Sequence, residues 1–94
     1  MRRVTLLTRG DCDLCVHAKR VLERLAPEYG LAVEEVSLET PRGQELAASS
    51  GTAFPPGLLL DGRPFSYGRL SERTLRRELG RLASDTESFP LRDG

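Results

Sequence analysis

The sequence predicts one α/β domain in which a four-stranded mixed sheet is flanked by helices. Strand-like and helix-like stretches follow one another along its 94 residues in the order β-α-β-α-β-β-α, as indicated by the spacing of apolar residues. The right-handed crossover rule makes the first two strands parallel neighbours. The Asp61-Gly62 pair predicts a tight hairpin and therefore an antiparallel pair of strands. A mixed sheet with helices on both faces satisfies these observations.

The first strand and the first helix have the clearest patterns. Residues 3–8 alternate and are rich in β-formers, which predicts a strand. From Asp13 to about Tyr29 the apolar residues recur at spacings of three and four and mark one face of a helix. Gly30 stands at the usual position for ending that helix. The apolar positions on this face are Leu14, Ala18, Val21, Leu22, Leu25 and Tyr29.

The middle of the chain predicts a second strand and a short helix. Residues 31–38 read as the strand, although two glutamates interrupt its period. Thr40 and Pro41 then resemble an N-cap followed by proline at the first helical position. The helix should run to about Ala48, and Gly43 is expected to be its weak point.

The last third of the chain predicts a hairpin and a final helix. Leu58–Leu60 reads as a buried strand, and its partner should follow at about 63–67. Pro64 in that partner argues for the edge of the sheet, because proline has no N–H to give to a strand ladder. Ser71 is placed to cap the last helix. The apolar side of this helix carries Leu75, Leu79 and Leu82.

Composition and charge exclude several classes of partner. The 14 basic and 14 acidic residues give a formal net charge of zero, so no global field favours nucleic acid or an anionic membrane. The apolar runs are far shorter than the about 20 residues that span a bilayer, and the charged start, Met1 to Val4, lacks the apolar stretch of a secretory signal. We therefore expect a cytoplasmic protein.

Residues 84–94 are polar and predict a flexible tail, which leaves residues 1–83 as the domain.

Cys12 and Cys15 are the only thiols, and they lie between the predicted first strand and first helix. Cysteines are kept reduced in the cytoplasm, so a permanent structural disulfide is not expected. A Cys-x-x-Cys pair at a βα junction is typical of a dithiol/disulfide exchange site. Unpaired N–H groups at the helix start favour the thiolate of Cys12. Cys15 lies one turn deeper at disulfide distance, so we expect Cys12 to be the nucleophile and Cys15 the resolving thiol.

Other interpretations remain for the two cysteines, as part of a metal site, and for the basic residues of the last helix, as a docking patch. A closed structural zinc site takes four ligands, and this chain offers the two cysteines and at most His17, so a zinc or iron–sulfur site would need a second chain. His17 itself is expected to be a solvated helix residue. Four arginines on the last helix form either a solvated face or a docking patch for a reductase. They are Arg73, Arg76, Arg77 and Arg81.

Residues 8–19, which read TRGDCDLCVHAK, resemble the glutaredoxin-type members of the thioredoxin superfamily. The resemblance covers roughly residues 3–82 and includes Pro56, the Asp-Gly turn and Gly68. The redoxins that supply electrons to ribonucleotide reductase are similar in the approach Thr-Arg-x-Asp-Cys-x-x-Cys. The resemblance implies a thioredoxin-like fold and a cis-proline at Pro56 that faces the thiols. It further implies protein disulfides as substrates, no bound cofactor, and glutathione or a flavin enzyme such as thioredoxin reductase as the electron source.

The resemblance also assigns residues to substrate binding, with two departures from the family. The assigned residues are Arg9, Lys19, Pro55, Gly68 and Arg69. In the family, a lysine at the place of Lys19 can meet a substrate carboxylate, and the residue before the cis-proline pairs with the substrate backbone. Pro55 has no N–H for that pairing, and Arg69 replaces the second glycine of the family's Gly-Gly. Both departures argue against glutathione.

Either proline of the Pro55-Pro56 pair can be the cis residue. If Pro55 is instead the cis residue, Phe54 keeps its N–H for the substrate. The acidic neighbours Asp11 and Asp13 disfavour the Cys12 thiolate, which predicts a protein more reducing than ordinary glutaredoxins, at about −230 to −270 mV. We expect a monomeric dithiol redoxin. A non-enzymatic interaction module and a dimeric metal or iron–sulfur carrier are the alternatives.

Overall fold

A four-stranded sheet with three helices organises the chain, as the sequence predicted. The computed structural model describes the backbone of residues 1–93 and the side chains of residues 1–83. Its elements are β1 (Arg2–Thr8), α1 (Asp13–Tyr29), β2 (Leu31–Ser37), α2 (Pro41–Ser50), β3 (Gly57–Leu60), β4 (Arg63–Tyr67) and α3 (Glu72–Asp93). The helix α3 runs to Asp93, ten residues past the predicted domain boundary at residue 83. The flexibility expected of residues 84–94 stays a prediction.

The strands lie in the order β2-β1-β3-β4, which places β1 at the centre and β2 and β4 at the two edges. β1 pairs in parallel with β2 and antiparallel with β3, which pairs antiparallel with β4. The hairpin turns at Asp61 and Gly62, whose φ angles of 51° and 81° are both positive, as a two-residue hairpin turn requires. Pro64 lies in the edge strand β4, which confirms its predicted position.

Alternation along β1 sends side chains to two cores on opposite faces of the sheet. Val4 and Leu6 pack into the larger cluster, which α1 and α3 cover with Leu22, Leu25, Leu75 and Leu79. Leu7 points to the other face, where it packs with Val36, Leu59 and residues of α2. The central strand therefore has both faces buried, and its carboxyl end, where the cysteine loop begins, is held on both sides.

The ends and contacts of α1 and α2 show where sequence reasoning succeeded and where it failed. Gly30 ends α1 with a φ of 67° as predicted. The helix α2 begins after Thr40, whose side chain accepts from the Gly43 N–H, and it runs to Ser50, two residues past the predicted end. At Gly43, whose predicted weakness in the helix stays a prediction, the structure shows a packing constraint. The residue is buried, and a Cβ there would lie 1.9 Å from the carbonyl oxygen of Ser37, so glycine permits the close packing of α2 on the end of β2.

Ion pairs join α1 to α3 on the surface of the larger core. Arg76 contacts Glu28 at 2.5 Å and Glu72 at 3.1 Å, and Arg24 contacts Glu72 at 2.5 Å. Arg81 pairs with Glu78 within α3. Two of the four arginines predicted to form a basic face of the last helix are therefore engaged by carboxylates. None of the helices searched within the described residues has the length and apolar character needed to cross a membrane.

Candidate active site

Cys12 and Cys15 are disulfide-bonded at the N-terminus of α1, with their Cα atoms 5.2 Å apart. Cys12 is the N-cap residue in an extended conformation, and its Sγ accepts a hydrogen bond from the Cys15 N–H at 3.1 Å. Its carbonyl oxygen accepts from the Val16 N–H at 3.2 Å. The predicted placement at a helix start is confirmed. This end of the helix presents N–H groups and the positive end of the helix dipole to the sulfur, which favours a thiolate once the bond is reduced.

The two cysteines differ in exposure. Cys15 is 3% exposed, whereas Cys12 is only half-buried. Only Cys12 is therefore open to an incoming disulfide, and the buried sulfur lies within reach of it. The predicted difference in depth is confirmed, while the roles of nucleophile and resolving thiol stay predictions.

The approach to Cys12 is a tight polar turn after β1. Arg9, Asp11 and Asp13 are exposed around it. Asp11 has a φ of 55°, a left-handed conformation that aspartate tolerates better than most residues. One exposed arginine and two exposed carboxylates thus flank Cys12 in the chain.

The peptide bond between Pro55 and Pro56 is cis. This is the bond chosen from the sequence, and the alternative of a cis bond before Pro55 is wrong. Both prolines are buried. Because Leu7 pairs with Gly57 in the sheet register, Pro56 lies at the carboxyl end of β1, the same end of the sheet as the cysteine loop. The carbonyl oxygen of Pro56 accepts from the Gly68 N–H at 2.8 Å.

Lys19 has a partner that sequence reasoning missed. Its Nζ lies 3.0 Å from Glu35 Oε2, and the buried Thr8 hydroxyl donates to the same oxygen at 2.8 Å. The hydrogen bonds from Thr8 and then Lys19 hold the pKa of Glu35 below its ordinary 4.5, against the opposing effect of desolvation. Glu35 was one of the two residues that interrupted the predicted second strand, and that interruption was the available signal. The expected contact of Lys19 with a substrate carboxylate would have to compete with this ion pair.

Two aromatic side chains that were not assigned a role from the sequence lie beside the cis bond. Phe54 and Tyr67 are 54% and 47% exposed, and their rings meet edge to face with centroids 5.1 Å apart. Gly68, with a φ of 78°, lies against them, since a Cβ there would stand 2.7 Å from Phe54 Cε2. Arg69 follows it and is exposed. The only sequence signal was that each aromatic residue adjoins a predicted site residue.

His17 is half-buried rather than solvated as predicted. Its Nε2 lies 3.1 Å from the carbonyl oxygen of Leu70, and because a carbonyl only accepts, that nitrogen carries the proton. The bond ties α1 to the segment that follows Gly68. Among the described residues, no three His, Cys, Asp or Glu side chains are grouped so that they could hold a metal ion.

Comparisons with known proteins agree with this geometry. Residues 3–80 match a family model described as a Glutaredoxin-like domain (DUF836). The chain is 33% identical over 82 residues to the uncharacterized proteins Rv0508 of Mycobacterium tuberculosis and Mb0520 of Mycobacterium bovis. The matched part is 84% of this chain and 84% of each relative.

Solved structures with the same architecture include several thioredoxins. An uncharacterized thioredoxin-like protein from Clostridium perfringens matches with a TM-score of 0.71 and 17% identity, over 87% of this chain and 71% of the other. Oxidized thioredoxin O2 from Arabidopsis thaliana gives 0.68 and 16%, over 87% and 75% of the two chains. A mutant thioredoxin from Halobacterium salinarum gives 0.66 and 24%, over 83% and 71%. At these low identities the structural matches establish the fold alone. Because the family model covers residues 3–80 of its 94 residues, this chain, with a Cys12–Cys15 disulfide at the head of its first helix, belongs to the Glutaredoxin-like domain (DUF836) family.

Proposed function

We propose that this protein is a dithiol redoxin, a thiol–disulfide oxidoreductase that reduces disulfide bonds in other proteins. One observation carries the proposal: the half-buried residue Cys12 caps the helix through its sulfur, and a buried Cys15 lies one turn behind it, within bonding distance. This difference in exposure suits a nucleophilic thiol that attacks the substrate disulfide and a second, less exposed thiol that resolves the mixed disulfide.

The reaction proceeds in two exchanges. The Cys12 thiolate attacks one sulfur of the substrate disulfide, and the other substrate sulfur leaves as a thiolate and takes up a proton. Cys15 then loses its proton and attacks Cys12 Sγ, which releases the first substrate sulfur as a second thiol. The substrate gains two electrons, and the protein is left with the Cys12–Cys15 disulfide. An external reductant must return the two electrons.

A flavin-dependent disulfide reductase of the thioredoxin reductase class fits this site better than glutathione as the electron source. Pro55 lacks the N–H that would pair with a peptide backbone, Arg69 stands in place of a second glycine, and the Lys19 ammonium is held by Glu35. No cofactor bound to this chain is needed, because the dithiol carries the electrons. We further propose that the protein acts as a monomer in the cytoplasm, without a nucleic-acid or membrane partner.

Insulin reduction tests the proposal. The wild type should reduce insulin with at least one of two reductants, glutathione or a flavin reductase with NADPH, and Cys12→Ser should lose this activity. Cys15→Ser should stop after the first exchange and accumulate a mixed disulfide that mass spectrometry detects. Each serine variant retains a single thiol, since the chain has two cysteines. Equal rates for the wild type and Cys12→Ser would contradict the proposal and favour an interaction module, and visible absorbance of anaerobically purified protein would favour a cluster carrier.

A further inference from the structure

Phe54 and Tyr67 form an exposed aromatic pair in a protein with few aromatic residues. The chain has three phenylalanines, two tyrosines and no tryptophan. Two of these five side chains lie about half exposed and in contact with each other. Aromatic rings are among the side chains that gain most from leaving water, so a pair left exposed together offers a surface for another apolar group.

Backbone contacts and the sheet register fix this pair at the same end of the sheet as the redox site. Phe54 directly precedes the cis Pro55–Pro56 bond, and Tyr67 directly precedes Gly68. The Gly68 N–H donates to the Pro56 carbonyl at 2.8 Å, and the Phe54 ring fills the space that a side chain at Gly68 would occupy. The sheet register places this segment at the carboxyl end of β1, from which the chain runs into Cys12. A substrate that reaches Cys12 therefore reaches the end of the sheet at which these rings are exposed.

The segment between the rings and the sheet offers little hydrogen bonding to a peptide. Neither Pro55 nor Pro56 has an N–H, and the Pro56 carbonyl is already engaged by Gly68. A peptide that binds by adding a strand relies on donors and acceptors of this kind. Side-chain contacts must supply what the backbone here does not, and exposed aromatic faces suit an apolar side chain.

We propose that Phe54 and Tyr67 form a docking site for an apolar side chain adjacent to the disulfide of a protein substrate. The inference rests on the proposed function and adds a substrate class: protein disulfides with a neighbouring apolar residue. Glutathione carries no such side chain and is disfavoured by the same surface.

Two disulfide peptides measure this selectivity. Each is closed by one intramolecular disulfide, and they differ only in a Leu or a Ser next to one cysteine. Reduced full-length protein is mixed with each peptide under single-turnover conditions, so the protein dithiol supplies both electrons and no other reductant is needed. We expect the Leu peptide to react about five-fold faster, the factor that burial of roughly half a leucine side chain provides. Acid quenching and chromatography give the second-order rate constants.

The ratio of the two rate constants is compared across three variants. Phe54→Ser and Tyr67→Ser should each bring the ratio towards one. Val33→Ser is the matched control, because Val33 is 42% exposed and lies on β2, at the opposite edge of the sheet, and it should keep the wild-type ratio.

Each remaining outcome decides between the two proposals. A wild type that reduces both peptides equally fast would overturn the docking site and leave the redoxin function standing. Unchanged ratios in both aromatic variants, or an equal loss in Val33→Ser, would also overturn it. A wild type that reduces neither peptide would refute the proposed function itself.

Discussion

At the start of α1 one sulfur atom has two roles, since Cys12 Sγ accepts the Cys15 N–H and also forms the redox bond. The charge of a reduced Cys12 would develop against exposed peptide N–H groups, which favours it, and between two carboxylates, which do not. The balance of these two effects on the Cys12 thiolate contributes to the reduction potential of the protein.

Neutralising Asp13 should make the protein less reducing. Removing a negative charge beside Cys12 stabilises the thiolate, and hence the reduced form, so Asp13→Asn should raise the reduction potential by roughly 5 to 20 mV. Equilibration with a dithiol redox buffer of known potential measures the shift. Glu23→Gln is the control, because Glu23 is an exposed carboxylate of the same helix farther from the cysteines. Equal potentials for Asp13→Asn and the wild type would contradict the charge argument.

Removing the His17 ring should destabilise the fold. His17→Ala loses the hydrogen bond to the Leu70 carbonyl and should lower the free energy of unfolding by about 1 kcal/mol. Urea unfolding followed by circular dichroism gives this value. Arg20→Ala, an exposed change on the same helix, should leave it within about 0.5 kcal/mol of the wild type. A loss no larger than that of Arg20→Ala would mean that the bond contributes nothing.

At the scale of elements, the sequence predicted those features that depend only on residues close to one another in the chain. The face of α1, its end at Gly30 and the Asp61-Gly62 hairpin all follow from spacing and turn chemistry, and all are confirmed. At Gly43, helix propensity predicted a weak helix position and could not predict that the Ser37 carbonyl packs against it. The contact between the two aromatic rings beside the cis bond was not predicted, because 13 positions separate Phe54 from Tyr67 in the sequence and only the fold brings them together.

Two glycine-to-alanine changes distinguish the effect of helix propensity on stability from the effect of side-chain packing. Gly43→Ala places a Cβ into the Ser37 carbonyl and should destabilise the protein by roughly 2 kcal/mol, although alanine is the better helix former. Gly80→Ala in α3 meets no atom within 4 Å and should stabilise it by up to about 1 kcal/mol. Thermal unfolding of both variants checks the opposite signs. Stabilisation by Gly43→Ala would show that α2 does not pack this closely.

At the scale of the whole molecule, ion pairs connect elements that are distant in sequence. Arg24 and Arg76 link α1 to α3 through Glu72, while Asp61 joins the hairpin to the start of β1 by accepting from the Arg3 N–H and pairing with Arg2. These exposed contacts contribute modestly each, but they share one dependence on pH.

Acidification should weaken the fold below about pH 4.5. The Arg24 and Arg76 guanidinium groups hold the pKa of Glu72 below its ordinary 4.5, and the Arg3 N–H holds the pKa of Asp61 below 3.8. The unfolded chain therefore binds protons at a higher pH than the folded one, and the stability present above these ordinary values is lost as the pH falls through the lowered ones. Urea midpoints between pH 7 and pH 3 should decline in this window.

Glu72→Gln should flatten that decline and lower stability near neutral pH. Glu45→Gln, a change at an exposed carboxylate of α2, should leave the profile as it is in the wild type. An identical pH profile in Glu72→Gln and the wild type would exclude Glu72 from the effect.

The residues of the two edge strands, β2 and β4, affect the tendency of this protein to aggregate at high concentration. In β4, Pro64 has no N–H to offer to a strand of another molecule. In β2, successive glutamates carry charge along the outer strand, Glu34 joined to Arg42 and Glu35 to Lys19. A neighbouring molecule that approached either edge would meet a missing donor in β4 or the two glutamate ion pairs of β2. We expect such a sheet to resist the edge-to-edge growth that leads to amyloid-like aggregates, and concentrated solutions to stay clear.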